Sequence, residues 1–223
     1  MEEFRWIEHA APAEMDALWA GGWRHFGERF FRCATMPHRG QTANVRPLRI
    51  DVPAFLPSRS QQRILHRNAD LEVAFRMPQF DAERRRLFLR HRVRFKENIP
   101  DRLEDFLSDR PGVVPCPMLE CGVRAADGRL LAASFLDVGT VAASAVFAVF
   151  EPSEARRSLG LLLILQELAW CAAHGKRWLY LGYSYDLPSA YDYKKRFAAT
   201  ERYDWQSRVW VPAPRELPSE NEA

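Results

Sequence analysis

Residues 150–168 read Phe150-Glu151-Pro152-Ser153-Glu154-Ala155-Arg156-Arg157-Ser158-Leu159-Gly160-Leu161-Leu162-Leu163-Ile164-Leu165-Gln166-Glu167-Leu168, and the rest of the chain is arranged around them. Apolar residues run from Leu161 to Leu165 and again from Leu168 to Ala173, interrupted only by Gln166 and Glu167. A helix apolar around nearly its whole circumference must be buried on most sides, so a central helix is predicted here. Ser153 suits its N-cap, Glu154 its first turn and Gly175 a left-handed stop. Arg156, Arg157, Ser158 and Gly160 would then crowd a helix start whose N–H groups lack intrahelical partners, which predicts an anion site. Arg177 to Tyr183 reads as a strand leaving the helix. The polar, aromatic-rich run from Tyr191 to Phe197 would follow at the sheet's end, beside that anion site.

Upstream of the helix the pattern is of strands. Met118 to Ala125 and Leu130 to Leu136 flank an Asp127-Gly128 turn and read as a hairpin, and Ala142 to Phe150 feeds directly into the helix. Nearer the N-terminus, Pro12 to Leu18 is expected to be helical, Trp23 to Arg32 a strand or hairpin, Met36 to Asn44 a loop, and Arg46 to Val52 a strand. Helices are expected from near Ser58, from Ala82 to about Lys96 with Asp81 as N-cap, and from Pro100 to Ser108. Leu71 to Met77 reads as a strand between the first two. Tyr203 to Val211 reads as the last strand, and residues 212–223, with three prolines and three glutamates, as a disordered tail.

The 223 residues suffice for one large domain or two small ones, and a hydrophobic content of 47% with 27% charged residues is ordinary for a globular chain. The longest apolar run is too short to span a bilayer, and Met1-Glu2-Glu3 does not open a secretory signal; a cytoplasmic location without a membrane partner is expected. Cysteines 33, 116, 121 and 171 lack paired spacing, which predicts free thiols. A metal site from Cys116, Cys121 and a histidine would need a looser spacing than structural zinc sites use, so none is expected. Between Arg59 and Lys96 there are eleven arginines and lysines against four acids, the footprint of a polyanion binder or of a solvated helix face.

Several motifs together resemble the arginyl-tRNA protein transferases and their bacterial aspartate/glutamate leucyltransferase relatives. That family shows F-D-P-x-x-x-R-R-S-L-G, then Y-L-G-Y-W, then K-M-x-Y-K-x-R-F-x-P-x-E. Here Arg156 to Gly160, Leu181 to Tyr183, Tyr193, Lys194, Arg196, Phe197 and Glu201 match, and Arg46-Pro47-Leu48-Arg49 and Pro57-Ser58-Arg59 extend the likeness upstream. The chain departs from the pattern at Ala190-Tyr191, where the family has Lys-Met, at Ser184 for its tryptophan, and at Ala199 for its proline. The family's cysteine cluster would fall near Arg39, Thr42 and Val45, none a thiolate, so no iron–sulfur role, metal or cofactor is expected.

The resemblance implies an α+β, acetyltransferase-like fold with a mixed, mostly antiparallel sheet flanked by helices. Residues 1–112 would form a basic N-terminal region and 113–211 the catalytic region. It implies transfer of leucine or arginine from an aminoacyl-tRNA to the N-terminal amine of a protein or peptide. A free α-amine has a pKa of about 7.7–8.0, so positioning and oxyanion stabilisation should outweigh base catalysis. Arg156, Arg157, Ser158 and Gly160, with Lys194 and Arg196, would hold the tRNA end. Tyr183 and Tyr193 would line the aminoacyl pocket or donate to the oxyanion, and Asp137, Asp186 or Asp192 would receive an ammonium group. Two other functions fit parts of the pattern: an acyl-CoA-dependent N-acyltransferase, through Arg157 and Gly160, and a non-catalytic tRNA-binding relative.

Overall fold

The computed structural model describes residues 2–95 and 99–213. In chain order it places β1 (Glu2–Trp6), α1 (Pro12–Ala20), β2 (Arg24–Phe26), β3 (Arg29–Cys33), β4 (Thr35–His38), β5 (Gln41–Asp51), α2 (Arg59–Arg67), β6 (Glu72–Arg76), α3 (Ala82–Arg92) and α4 (Glu104–Leu107). There follow β7 (Met118–Arg124), β8 (Leu130–Val138), β9 (Ala142–Phe150), α5 (Leu159–Ala173), β10 (Trp178–Tyr185), β11 (Thr200–Asp204) and β12 (Val209–Pro212), with 3₁₀ turns over Pro152–Arg157 and Asp192–Arg196. This is an α+β arrangement with a mixed, mostly antiparallel sheet flanked by helices.

The main sheet has nine strands in the order β12-β11-β5-β10-β9-β8-β7-β6, with β4 paired to β5. It takes β4, β5 and β6 from the first 112 residues and the remainder from later in the chain. A separate three-stranded sheet, β1-β3-β2, packs with α1 on one face. On that face α3 and α4 also bury Leu87, Phe88, Leu103 and Leu107 against Met118, Phe135 and Val149. The opposite face carries α5 and α2, whose Leu162, Leu163, Leu168 and Ile64 close the largest core with Leu48, Ile50, Leu179 and Leu181. Arg84, donating to Glu120 over 2.6 and 2.5 Å with both side chains buried, ties α3 to β7.

All the adjacent strands of the main sheet are antiparallel except β9 and β10, the pair joined through α5. Their parallel pairing lasts for three positions, Trp178↔Ala142, Leu179↔Ala143 and Tyr180↔Ser144. Two irregularities sit where it stops. Against β8, Ala145 and Phe147 take successive partners and leave Val146 as an extra residue; against β5, Tyr180 and Gly182 do the same around Leu181. Extra residues of this kind bend a strand and increase its twist. The two strands therefore part beyond Ser144 and Tyr180, opening a gap in the middle of the sheet.

Local chemistry explains most boundaries. Ser58 and Gln61 cap α2 reciprocally, and Asp81 Oδ1 accepts from Arg84 N at 2.9 Å at the start of α3. The central helix begins later than Ser153: residues 152–157 form a 3₁₀ turn, and Ser158, at φ 54° and ψ 45°, separates it from α5. The turn is held by α2, because Asn68 Nδ2 donates to Arg157 O at 2.9 Å and Arg67 donates to Arg156 O. Residues 36–44 form the β4–β5 hairpin rather than a loop, with Arg39 and Gly40 at positive φ in the turn. The expected last strand is a hairpin of two, β11 and β12. The helix expected over 100–108 is the single turn α4, and α3 stops at Arg92; Lys96 and residues 214–223 lie outside the described residues. All four cysteines are buried free thiols.

Candidate active site

The gap between β9 and β10 is filled by two cations. Arg24 of β2 donates through Nη1 to Ser144 Oγ and through Nη2 to Ala145 O, both at 2.8 Å, and so satisfies the first β9 carbonyl beyond the parallel pairing. Lys194, in the 192–196 turn, makes a long 3.5 Å contact to Tyr183 O. Both side chains press on Gly182: a β-carbon there would stand 3.3 Å from Arg24 Nη2 and 3.4 Å from Lys194 Nζ. Gly182 takes φ 83°, which a residue with a β-carbon rarely adopts.

Behind the cations lies a carboxylate. Glu167 is 1% exposed on α5, and its Oε1 accepts from Ser134 Oγ at 2.6 Å. Burial pushes its pKa up to about 7, against the opposing pull of Ser134 and Lys194. Burial also pulls Lys194 down to about 7, helped by the neighbouring Arg24 charge and opposed by Glu167. Arg24 falls to about 10 for the same first reason, offset by Asp137. The gap thus holds an amine and a carboxyl that both exchange protons near neutrality beside a permanently charged guanidinium.

The residues expected from sequence divide between this gap and other places. Lys194 is in it and Tyr183 borders it, tilted against Tyr185 and edge-on to Tyr191 at ring separations of 5.7 and 5.6 Å, with its hydroxyl pKa raised by burial. Tyr193 packs on the α5 core, close enough to Glu167 to feel its charge, and burial raises its hydroxyl too. Arg196 lies on the same 3₁₀ turn as Lys194. Asp137 is fully buried, its Oδ2 meets His25 Nε2 at 2.6 Å, and its charge acts on Arg24. Asp186 is taken up by Asn44 and Asp192 by Ser189.

The expected anion site at the helix start is organised differently. Arg157 forms a two-pronged pair with Asp70, 2.9 Å on each prong, and a further contact to Glu154 at 3.2 Å. Gly160 packs closely on Phe150, and a β-carbon on it would lie 3.1 Å from that ring. Ser158 makes no side-chain cap. Arg156 remains exposed, and with Arg59, Arg63 and Arg67 of α2 it makes a basic face across the α2–turn contact. On α3, by contrast, Arg84, Arg85 and Arg90 are engaged by Glu120, Glu104 and Glu151.

Sequence reasoning missed Arg24, Ser144 and the role of Glu167. Only Glu167 left a signal, as the lone acid in an apolar helix. A second buried cluster also went unread: His25, Cys116 and Asp137 bring donor atoms within 4.8 Å of one another. His25 Nδ1 faces Gly27 O at 2.8 Å while Nε2 faces Asp137, so both ring nitrogens meet acceptors and the group fastens β2, and with it Arg24, to β8. Cys121 packs instead in the α5 core, so Cys116 and Cys121 do not share a site.

Residues 83–204 match the family model described as arginine-tRNA-protein transferase, C terminus. An aspartate/glutamate leucyltransferase of Xylella fastidiosa (strain M23) is 33% identical over 195 residues, covering 83% of this chain and 74% of that protein. One from Xanthomonas euvesicatoria pv. vesicatoria (strain 85-10) is 35% identical over 185 residues, covering 75% and 69%. Among solved structures, L-PGS from Bacillus licheniformis superposes with a TM-score of 0.52 at 13% identity, over 84% of this chain and 55% of that one, a likeness of fold alone. By its matched region and its identity to these relatives, the chain belongs to the arginine-tRNA-protein transferase family.

Proposed function

We propose that this protein transfers leucine from an aminoacyl-tRNA to the N-terminal amine of a protein whose first residue is acidic, and that the transfer takes place in the gap between β9 and β10. The observation that carries this reading is the meeting of Arg24 and Lys194 on Gly182, backed by Glu167. Leucine and acidic acceptors are favoured over other pairs by the relatives named aspartate/glutamate leucyltransferase.

The reaction forms a C–N bond and breaks the ester C–O bond to the tRNA ribose, releasing one proton overall. An α-ammonium, with a pKa of about 7.7–8.0, must first lose a proton, and an amine poised near 7 is matched to receive it. Neutral Lys194 accepts that proton; the amine then attacks the ester carbonyl. Arg24, which stays charged, stabilises the oxyanion in a site with little water. As the intermediate collapses, Lys194 returns its proton to the departing ribose oxygen, and the second amine proton leaves to solvent. Glu167 does not touch substrate and raises the proton affinity of Lys194 against burial and the Arg24 charge. Arg24 occupying the gap and Arg157 committed to Asp70 also count against an acyl-CoA donor.

The test is transfer of labelled amino acid from each of the aminoacyl-tRNAs to peptides beginning with Asp, Glu, Arg, Lys or Leu. Leucine should move to the Asp and Glu peptides, and Lys194→Met should lower the rate by about 10²-fold or more in a folded protein. No transfer from any aminoacyl-tRNA to any peptide would overturn the function; full activity in Lys194→Met would overturn the site.

A further inference from the structure

Two cations that meet on one glycine repel each other, and the surroundings of Lys194 show what offsets that repulsion. Lys194 Nζ lies over the face of the Tyr191 ring, 4.9 Å from its centre. The turn itself builds this contact: Lys194 N donates to Tyr191 O at 3.0 Å, so the chain folds back and lays the lysine across the ring. The tyrosine is fixed at both ends. Its N–H donates to Ser189 Oγ at 3.1 Å, and its ring stands edge-on to Tyr183 at 5.6 Å and tilted against Tyr185 at 5.9 Å. Among the described residues, Arg24 from β2 repels an ammonium on Lys194 and Glu167 from α5 attracts one. β10 offers the backbone oxygen and the neutral phenol of Tyr183. On the lysine's own turn, which also carries Tyr193 and Arg196, the Asp192 carboxylate is taken by Ser189 and Lys195.

We propose that Tyr191 is a positioning residue for the transfer: the face of its ring receives the ammonium that Lys194 becomes on taking the acceptor amine's proton. This rests on the transfer reading above and supplies the counterpart that a proton-bearing lysine needs beside Arg24. An aromatic face carries negative charge density and attracts a cation, but a neutral amine far less. The attraction therefore grows as an N–H bond of the α-ammonium breaks, its electron pair stays on the amine nitrogen and the proton binds the Nζ lone pair. An interaction that strengthens along the reaction lowers its barrier. Glu167 does not fill this part alone, because burial raises its pKa to about 7 and it loses its charge in the range where the lysine works. Burial also pushes the Tyr191 hydroxyl above its ordinary value, so the ring is neutral throughout that range and its pull does not change with pH. A carboxylate in its place would hold Lys194 protonated through neutrality. A ring favours the ammonium by only about one pH unit, which lets the proton go on to the ribose oxygen.

The experiment replaces Tyr191 in the full-length protein with Phe, with Met, and with phenylalanines carrying one, two or three ring fluorines, which keep the shape and withdraw charge from the face. Lys194 is titrated by NMR on lysine labelled with carbon-13 at Cε; the chain has four lysines, and Lys194→Met assigns the signal. The midpoint should stay within about 0.3 pH unit of wild type in Tyr191→Phe, fall stepwise with each fluorine, and fall by about one pH unit in Tyr191→Met. The rising limb of single-turnover transfer from leucyl-tRNA to a peptide beginning with Asp should move with it. Circular dichroism reports the folded state of each variant, and the fluorinated series carries the test if Tyr191→Met does not fold. A midpoint unmoved by fluorination overturns the proposal and leaves the ring as packing for Tyr183. A midpoint that falls as far in Tyr191→Phe as in Tyr191→Met overturns it too, since the hydroxyl would then carry the effect. A midpoint that moves while the rate limb stays, or full activity in Lys194→Met, would overturn Lys194 as the base and leave the ring contact standing, so the two failures are distinguishable.

Discussion

Arg24 Nη2 and Lys194 Nζ lie 3.3 and 3.4 Å from the point where a β-carbon on Gly182 would stand, so one glycine sets how closely two cations approach the gap between β9 and β10. A methyl group there would crowd Arg24 Nη2 by a few tenths of an ångström and touch Lys194 Nζ. It would also force φ 83° on a residue with a β-carbon, a strain of about 1–3 kcal/mol.

Gly182→Ala should therefore lose transfer activity by about 10²-fold, with a stability loss of about 1–3 kcal/mol. Gly128→Ala is the matched control. Gly128 has nearly the same φ, 84°, but nothing within 4 Å of its added β-carbon. Urea denaturation should show similar losses in the two variants, while single-turnover transfer separates them; equal activity would mean that the cations do not depend on Gly182.

Glu167→Gln should change both stability and rate with pH. The folded-state pKa of Glu167 is raised from 4.5 to about 7, so its contribution is fully present below pH 4.5 and is lost as pH rises through 7. Glutamine keeps the acceptor for Ser134 and carries no charge. The variant should thus gain stability over wild type at pH 8, on the order of 3 kcal/mol, and little at pH 4.5, read from urea midpoints. Because Glu167 raises the Lys194 pKa, its loss should also shift the rising limb of the pH–rate profile below its wild-type position near 7. A limb that does not move would separate Glu167 from Lys194.

The central helix and its two flanking strands were legible because their apolar residues leave no other face to turn to water. The 3₁₀ turn before it was hidden: Ser153 looks like a good cap, but Asn68 and Arg67, almost ninety positions away in sequence, bind the carbonyls of Arg157 and Arg156 and fix the turn. The motif likeness led to Lys194 but also weighted Arg157 and Gly160, which the fold uses for an ion pair and for packing on Phe150. Arg24 carries no local signal. It reaches Ser144 across 120 residues, and only the meeting of the small sheet with the parting strands makes it part of the site. Glu167 was visible, yet an acid in an apolar helix reads as an interruption until Lys194 is seen opposite.

The pairing of Arg157 with Asp70 predicts that the two residues act as one structural unit. Asp70→Ala should then reproduce most of the loss seen in Arg157→Ala, and the double variant should be little worse than either single one, in both urea midpoint and transfer rate. If Arg157 bound the tRNA directly, Asp70→Ala would leave a freer guanidinium and bind tRNA more tightly, and the cycle would show no coupling in stability.

The last prediction concerns where the tRNA lies. The eleven basic residues between Arg59 and Lys96 look like one patch in sequence, but the fold divides those among the described residues. Arg84 is sealed against Glu120, while Arg85 and Arg90 are paired with Glu104 and Glu151. Arg59, Arg63 and Arg67 instead stand exposed along α2, and Arg67, by donating to Arg156 O, joins them to Arg156 on the 3₁₀ turn. Guanidinium groups without carboxylate partners release counterions when they meet phosphates, whereas paired ones must first give up a neighbour. Reversing Arg63 and Arg156 to Glu should therefore weaken tRNA affinity and flatten the dependence of log K on log salt by about 0.7–0.9 for each phosphate no longer neutralised, with little change in melting temperature. Reversing Arg85 and Arg90 should change the slope less and the stability more, because Glu104 and Glu151 would face like charges. The converse pattern, a flattened slope from the α3 pair alone, would place the tRNA on α3.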